Sequence, residues 1–132
     1  MTTLCHTANS LTVLFVDDDG TSRMIGCHLL KDHPAKVVTA VNGQDALEKI
    51  KKQHFDIVFT DLNMPIMDGL KLKKILAKKR PEIPVVSMSG SYADSHIQEY
   101  LELGFKELLS KPLQKNQIYD AINQFCSVQV AL

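Results

Sequence analysis

Residues 55–69 read FDIVFTDLNMPIMDG. Phe55, Ile57, Val58 and Phe59 form an apolar run, and Asp61 stands where that run ends. Asn63 follows two residues on, then Met64-Pro65, then a second acid, Asp68, and Gly69. A carboxylate delivered at the end of a buried strand is either a cap or turn residue or a group held there to react. The surrounding chain decides between these.

Working outward, four more runs resemble residues 55–60: LTVLFV (11–16), KVVTA (36–40), IPVVSMS (83–89) and FKELLS (105–110). Most are continuously apolar and do not alternate, which is the pattern of strands covered on both faces of a parallel sheet. Stretches of helical period separate them. Met24, Ile25, His28 and Leu29 share one helical face; Ala46, Leu47 and Ile50 share another, after the Asn42-Gly43 turn. Leu72, Ile75 and Leu76 form a third stripe, with Lys71, Lys73, Lys74, Lys78 and Lys79 expected on a solvated face. Ile97, Tyr100 and Leu101 mark a fourth helix, and Ile118, Ile122 and Phe125 a fifth. The prolines of RPEIP (80–84) bar helix continuation before the fourth strand. The fold class is α/β: a (βα)5 chain with a doubly wound parallel five-stranded sheet and right-handed crossovers. Residues 11–127 make one domain, with short tails at 1–10 and 128–132.

Composition narrows the function. The chain has 132 residues, one ordinary domain, and 45% of them are hydrophobic, enough to build a core. Acids and bases balance at 15 each. That argues against direct nucleic-acid binding, which favours a strongly basic domain. No apolar run approaches the roughly 20 residues of a membrane-spanning helix, and no secretion signal opens the sequence. The three cysteines, Cys5, Cys27 and Cys126, lack CxxC spacing, so a reduced, cytoplasmic setting is expected. Cys27 and Cys126 fall in helical patterns and read as core filler.

In a sheet of this kind the chemistry sits beyond the carboxyl ends of the strands. Strand one ends in Asp17, Asp18 and Asp19; strand three in Asp61; strand four in Ser89, then Gly90 and Ser91; strand five in Lys111, then Pro112. Each alone has a plain reading as a helix cap, a loop hydroxyl or a surface lysine. All four at one sheet edge are harder to explain that way. Two unit charges about 4 Å apart repel by roughly 4 kcal/mol at an effective dielectric near 20. One lysine does not balance three acids. Hard oxygen ligands with an open face suit Mg²⁺, which keeps a coordination position for a phosphate oxygen.

These motifs, in this order, resemble the receiver domain of two-component response regulators over about residues 11–127. The resemblance rests on the acidic pair after strand one, the lone Asp in FTDLNMPIMDG, the hydroxyl after PVVSMS and the Lys-Pro after strand five. It implies a flavodoxin-like sheet order of 2-1-3-4-5. It implies that Asp61 accepts a phosphoryl group from the phosphohistidine of a sensor histidine kinase or histidine phosphotransfer protein. Asp17, Asp18, Asp61 and the backbone carbonyl of Asn63 would hold Mg²⁺. Ser89 and Lys111 would engage the transferred group, and Asn63 and Ser91 would flank the hydrolytic water. The Lys111-Pro112 bond is expected to be cis. MPIMDG and KPL resemble hybrid-kinase receivers most. The chain would not be an enzyme beyond its own phosphorylation and slow dephosphorylation. One position departs from the family: Leu108 stands three residues before Lys111, where many receivers carry the aromatic ring that turns inward on activation. Signal is therefore expected to leave mainly through Ser89–Ala93 and the helix through Ile97.

The rival reading is a haloacid-dehalogenase-like phosphatase with Asp17 as nucleophile, since DDDGT (17–21) resembles that motif. No acidic pair follows Lys111, which counts against it. A nucleotide- or flavin-binding domain is a further alternative, but GxxxxGK[ST] and GxGxxG are both missing.

Overall fold

The computed structural model describes residues 11–92 and 94–126. The expected tails and Ala93 lie outside them. Five strands alternate with five helices: β1 (Thr12–Val16), α1 (Gly20–Leu29), β2 (Lys36–Ala40), α2 (Gly43–Lys52), β3 (Ile57–Asp61), α3 (Gly69–Lys79), β4 (Val85–Ser89), α4 (Asp94–Glu102), β5 (Glu107–Ser110) and α5 (Lys115–Phe125). All neighbouring strands pair parallel, in the order β2-β1-β3-β4-β5. The expected fold and sheet order are borne out.

The continuous apolar runs bury side chains on both faces of the sheet. Leu14, Val16, Val58 and Val85 pack on one side against Ala46 and Ile50 of α2 and Leu72 and Leu76 of α3. Val13, Phe15, Ile57, Phe59, Val86 and Met88 pack on the other, against Ile118, Ala121 and Ile122 of α5. β3 is central and buried along its whole length, Asp61 included. Burying Ile57, Val58 and Phe59 stabilises the fold by roughly 1.5–3 kcal/mol each. That is enough to hold a carboxylate at the strand end against unfavourable surroundings.

Three side-chain placements correct the reading of the sequence. Of the face Met24, Ile25, His28 and Leu29 of α1, only Leu29 packs against the core. Met24 is 71% exposed and Ile25 46%, while Gly26 is buried. A Cβ on Gly26 would lie 2.5 Å from the Phe15 ring, so the helix meets the sheet through its smallest residue. Lys73 is not solvated with the other lysines of α3 but is buried, its amine close to Gly104. Desolvation, and then the charge of Lys106, lower its pKa. Cys27 is exposed and not core filler; Cys126 is buried, as expected, and burial pushes its thiol up to about 12. Among the described residues no helix is long and apolar enough to cross a membrane.

Candidate functional site

The site is built where β1, β3, β4 and β5 end. Asp17 leaves β1 fully buried, its amide donating to Ala40 O at 3.1 Å. Its Oδ1 accepts from the Asp19 amide at 3.0 Å and its Oδ2 from Lys111 Nζ at 2.8 Å. Arg23 reaches back from α1 and donates through Nη1 to the Asp17 carbonyl at 2.7 Å. Asp19 has another task. It caps α1, accepting from the Thr21 amide at 3.2 Å and the Ser22 hydroxyl at 3.1 Å. Chiefly through the Ser22 hydroxyl, its pKa is lowered. Asp18 is exposed between the two.

Asp61 ends β3 with its side chain 12% exposed. Its Oδ1 accepts from the Leu62 amide at 2.9 Å and lies 3.7 Å from Lys111 Nζ. The residues after it explain the rest of the opening motif. Asp68 caps α3, accepting from the Lys71 amide at 2.9 Å. Gly69 donates to Leu62 O at 3.0 Å, and a Cβ there would fall 2.2 Å from the Asp61 carbonyl oxygen. Only glycine lets α3 start this close to the strand end. Between them Ile66 is exposed with a φ of 70°, a left-handed conformation that costs a β-branched residue about 1–2 kcal/mol. Asn63 is exposed on the same loop.

One oxygen each of Asp17, Asp18 and Asp61 lies within 4.8 Å of the others. At that distance and an effective dielectric near 20, each carboxylate pair repels by roughly 3.5 kcal/mol. Burial first, and then the charges of Asp17 and Asp18, raise the pKa of Asp61, against the opposing pull of Lys111. Burial alone would lower the pKa of Lys111, but its bond to Asp17 and the charges of Asp17, Asp61 and Asp19 raise it overall. The ammonium stays charged and offsets one of three negative charges. A hard-oxygen donor set with net negative charge fits a divalent cation.

Ser89 ends β4, one residue past the position paired with Asp61. Its carbonyl accepts from the Lys111 amide at 2.8 Å. Its hydroxyl turns into its own loop, donating to Ser91 O at 2.8 Å and accepting from the Ser91 amide at 3.2 Å. Ser91 is exposed, and Leu108 of β5 is half-buried. The Lys111–Pro112 peptide is cis. The structure thus gathers Asp17, Asp18, Asp61 and Lys111 at one spot with Ser89 at its edge. Arg23 and Tyr92, whose hydroxyl reaches Ser87 and Leu109, were missed in the sequence. Arg23 carried a signal: it falls on the first turn of the helix that follows the acidic run, within reach back to the strand end.

A doubly wound α/β domain with a lysine-bridged acidic cluster at its strand ends is the architecture of a phosphoryl-accepting signalling module. The response regulator receiver domain model matches residues 13–123, and the chain belongs to that family. It is 32% identical over 108 residues to the transcription factor SKN7 of Chaetomium thermophilum, covering 80% of this chain and 14% of that protein. It is 33% identical over 108 residues to hybrid signal transduction histidine kinase M of Dictyostelium discoideum (76% and 4%), and 30% identical over 118 residues to the sensor protein EvgS of Escherichia coli (89% and 10%). The chain therefore spans a small part of these relatives. Among solved structures, chemotaxis protein CheY4 of Vibrio cholerae superposes with a TM-score of 0.81 at 28% identity, covering 88% of this chain and 98% of that one. A receiver domain protein from Methanospirillum hungatei gives 0.81 at 22%, covering 89% and 94%. The role is that of the family: accepting a phosphoryl group in two-component signalling. The family match also covers residues 17–21, on which the phosphatase alternative rested. Asp17 is a poor nucleophile here, because it is fully buried with both oxygens hydrogen-bonded.

Proposed function

We propose that Asp61 is the phospho-acceptor, that residues 11–127 are the receiver unit, and that the donor is the phosphohistidine of a sensor histidine kinase or histidine phosphotransfer protein. The observation that carries this is the position of Lys111 Nζ, 2.8 Å from Asp17 and 3.7 Å from Asp61 at the mouth of the acidic cluster. Asp17, Asp18 and Asp61, with the backbone carbonyl of Asn63, would hold Mg²⁺, which neutralises charge on the phosphoryl group when bound. A carboxylate is a weak nucleophile, so what these residues contribute is positioning and charge compensation. Buried β3 fixes Asp61 for in-line attack. Its oxygen forms the new bond to phosphorus as the bond to the imidazole nitrogen breaks. Lys111 then pairs with the phosphoryl oxygens, and Ser89 donates to one of them.

Asn63 and Ser91 flank the path of the hydrolytic water and set the lifetime of the acyl phosphate. The chain catalyses only its own phosphorylation and slow dephosphorylation. It acts in the cytoplasm, where such donors are made. The hybrid signal transduction histidine kinase among its relatives supports that class of donor.

A radiolabelled small acyl phosphate with Mg²⁺ should label the wild-type chain and not Asp61→Asn. In the same assay Ser91→Glu should change the rate at which label is lost. Label that persists in Asp61→Asn and vanishes in Asp17→Asn would overturn the assignment.

A further inference from the structure

Tyr92 follows Ser89 by three positions, in the loop between β4 and α4. Its ring packs against the core layer that contains Phe105, as Leu103 and Leu108 also do. It also meets Tyr100 edge-on, with centroids 6.2 Å apart. Its hydroxyl donates to the Leu109 carbonyl at 3.1 Å and lies 2.8 Å from Ser87 Oγ. A phenol has one proton, so Ser87 is the donor in the second bond. Ser87 is fully buried and is the register partner of Leu108. One hydroxyl thus ties the loop to β4 and to β5, at the place where Leu108 offers no polar group. Burial pushes this phenol up to about 12, so it remains a neutral donor at working pH.

The near end of the loop is set by Ser89. Its single proton goes to Ser91 O. A serine that donates to a phosphoryl oxygen on Asp61 must release Ser91, the residue before Tyr92. Gly90, between the two serines, stands in open space, with nothing within 4 Å of where a Cβ would lie, and glycine's wide backbone range leaves the turn free to rearrange.

We propose that Tyr92 is the aromatic coupling residue of this chain: release of the Ser89–Ser91 bond displaces Tyr92, and its hydroxyl carries the change to β5 through Ser87 and Leu109. Tyr92 is a positioning residue in this scheme, and the scheme rests on Asp61 being the acceptor. It also alters the expectation set by Leu108, because β5 is no longer left out of the signal.

The test uses the 132-residue chain with beryllofluoride and Mg²⁺ as the phosphoryl mimic, read by amide chemical shifts. In wild type, shifts should change at Asp61–Leu62, at Ser89–Tyr92 and at Leu108–Ser110. In Tyr92→Phe, which keeps the ring, the changes at Asp61–Leu62 and Ser89–Ser91 should persist. Those at Leu108–Ser110 should fall at least twofold. Ser87→Ala removes one of the two bonds from the strand side and should reduce the same shifts. Tyr100→Phe, a change in the ring's packing neighbour, should behave as wild type. Undiminished changes at Leu108–Ser110 in both Tyr92→Phe and Ser87→Ala would overturn the coupling role alone. An absence of any change at Asp61 in wild type would overturn the acceptor assignment and the coupling with it.

Discussion

Asp17, Asp18 and Asp19 are consecutive, yet their surroundings separate them. Asp17 is buried and spends its oxygens on Lys111 and a backbone amide. Asp19 holds the first turn of α1. Asp18 is exposed too, but unlike Asp19 it has an oxygen close to those of Asp17 and Asp61. Its carboxylate is therefore the least committed to holding the fold. Asp18→Ala should leave thermal stability without Mg²⁺ close to wild type or slightly higher, since it removes a repelling charge. Its Mg²⁺ affinity in a titration should fall at least tenfold, which corresponds to about 1.4 kcal/mol. Unchanged affinity would place the ion elsewhere. At this scale much of the site was legible in the sequence. Charged and hydroxyl residues at the ends of buried strands have few places to go, so Asp61, Asp17, Ser89 and Lys111 could be brought together from their positions alone. Tyr92 was not legible. Nothing in a lone tyrosine on a loop reveals that its hydroxyl reaches across to another strand.

The elements were read well where burial is written in apolar residues and badly where it is written in small ones. The strands came within about two residues of their observed limits because continuous Val, Ile and Phe runs have one common use in such a sheet. Most of the face of α1 was misassigned because the helix's contact with Phe15 is made by Gly26, which gives no hydrophobic signal. Lys73 was misplaced because its charge outweighs its long apolar stem in any pattern count, though the stem is what the core accepts. The two glycine contacts differ in a testable way. Gly26→Ala presses on the Phe15 ring, and overpacking of this kind costs about 1–3 kcal/mol. The roughly 1 kcal/mol gained in helix propensity offsets part of that. Gly69→Ala presses on the Asp61 backbone itself, which cannot yield without moving the acceptor. Both variants should unfold at lower temperature in calorimetry. Only Gly69→Ala should also lose phosphoryl labelling, by tenfold or more. Equal labelling of the two would mean that the start of α3 does not position Asp61.

Over the whole molecule, acids and bases cancel at 15 each, so the charge imbalance at the strand ends is local and not a property of the chain. The fold supplies the rigidity that keeps it unrelieved: two apolar layers clamp β3 from both sides. The consequence appears in global stability. Asp61 has its pKa raised in the folded state, first by burial and then by Asp17 and Asp18. A carboxyl of this kind binds its proton more tightly folded than unfolded. Its ionised form opposes folding, and the penalty is full above the folded pKa and absent below the unfolded value near 3.9. Asp61→Asn should therefore stabilise the chain in the absence of divalent ions at pH 7. The expected rise in Tm is on the order of 3 °C, what ~1 kcal/mol produces in a domain of this size. The gain should shrink at an acidic pH below the folded pKa, where the wild-type side chain is also neutral. Mg²⁺ should reverse the order at pH 7, because a ligand that binds only the folded state stabilises wild type more than a variant short of one carboxylate. Calorimetry at both pH values, with chelator and with Mg²⁺, checks all three signs. A variant no more stable than wild type at pH 7 in chelator, or one whose advantage grows on acidification, would mean that Asp61 is not under electrostatic strain.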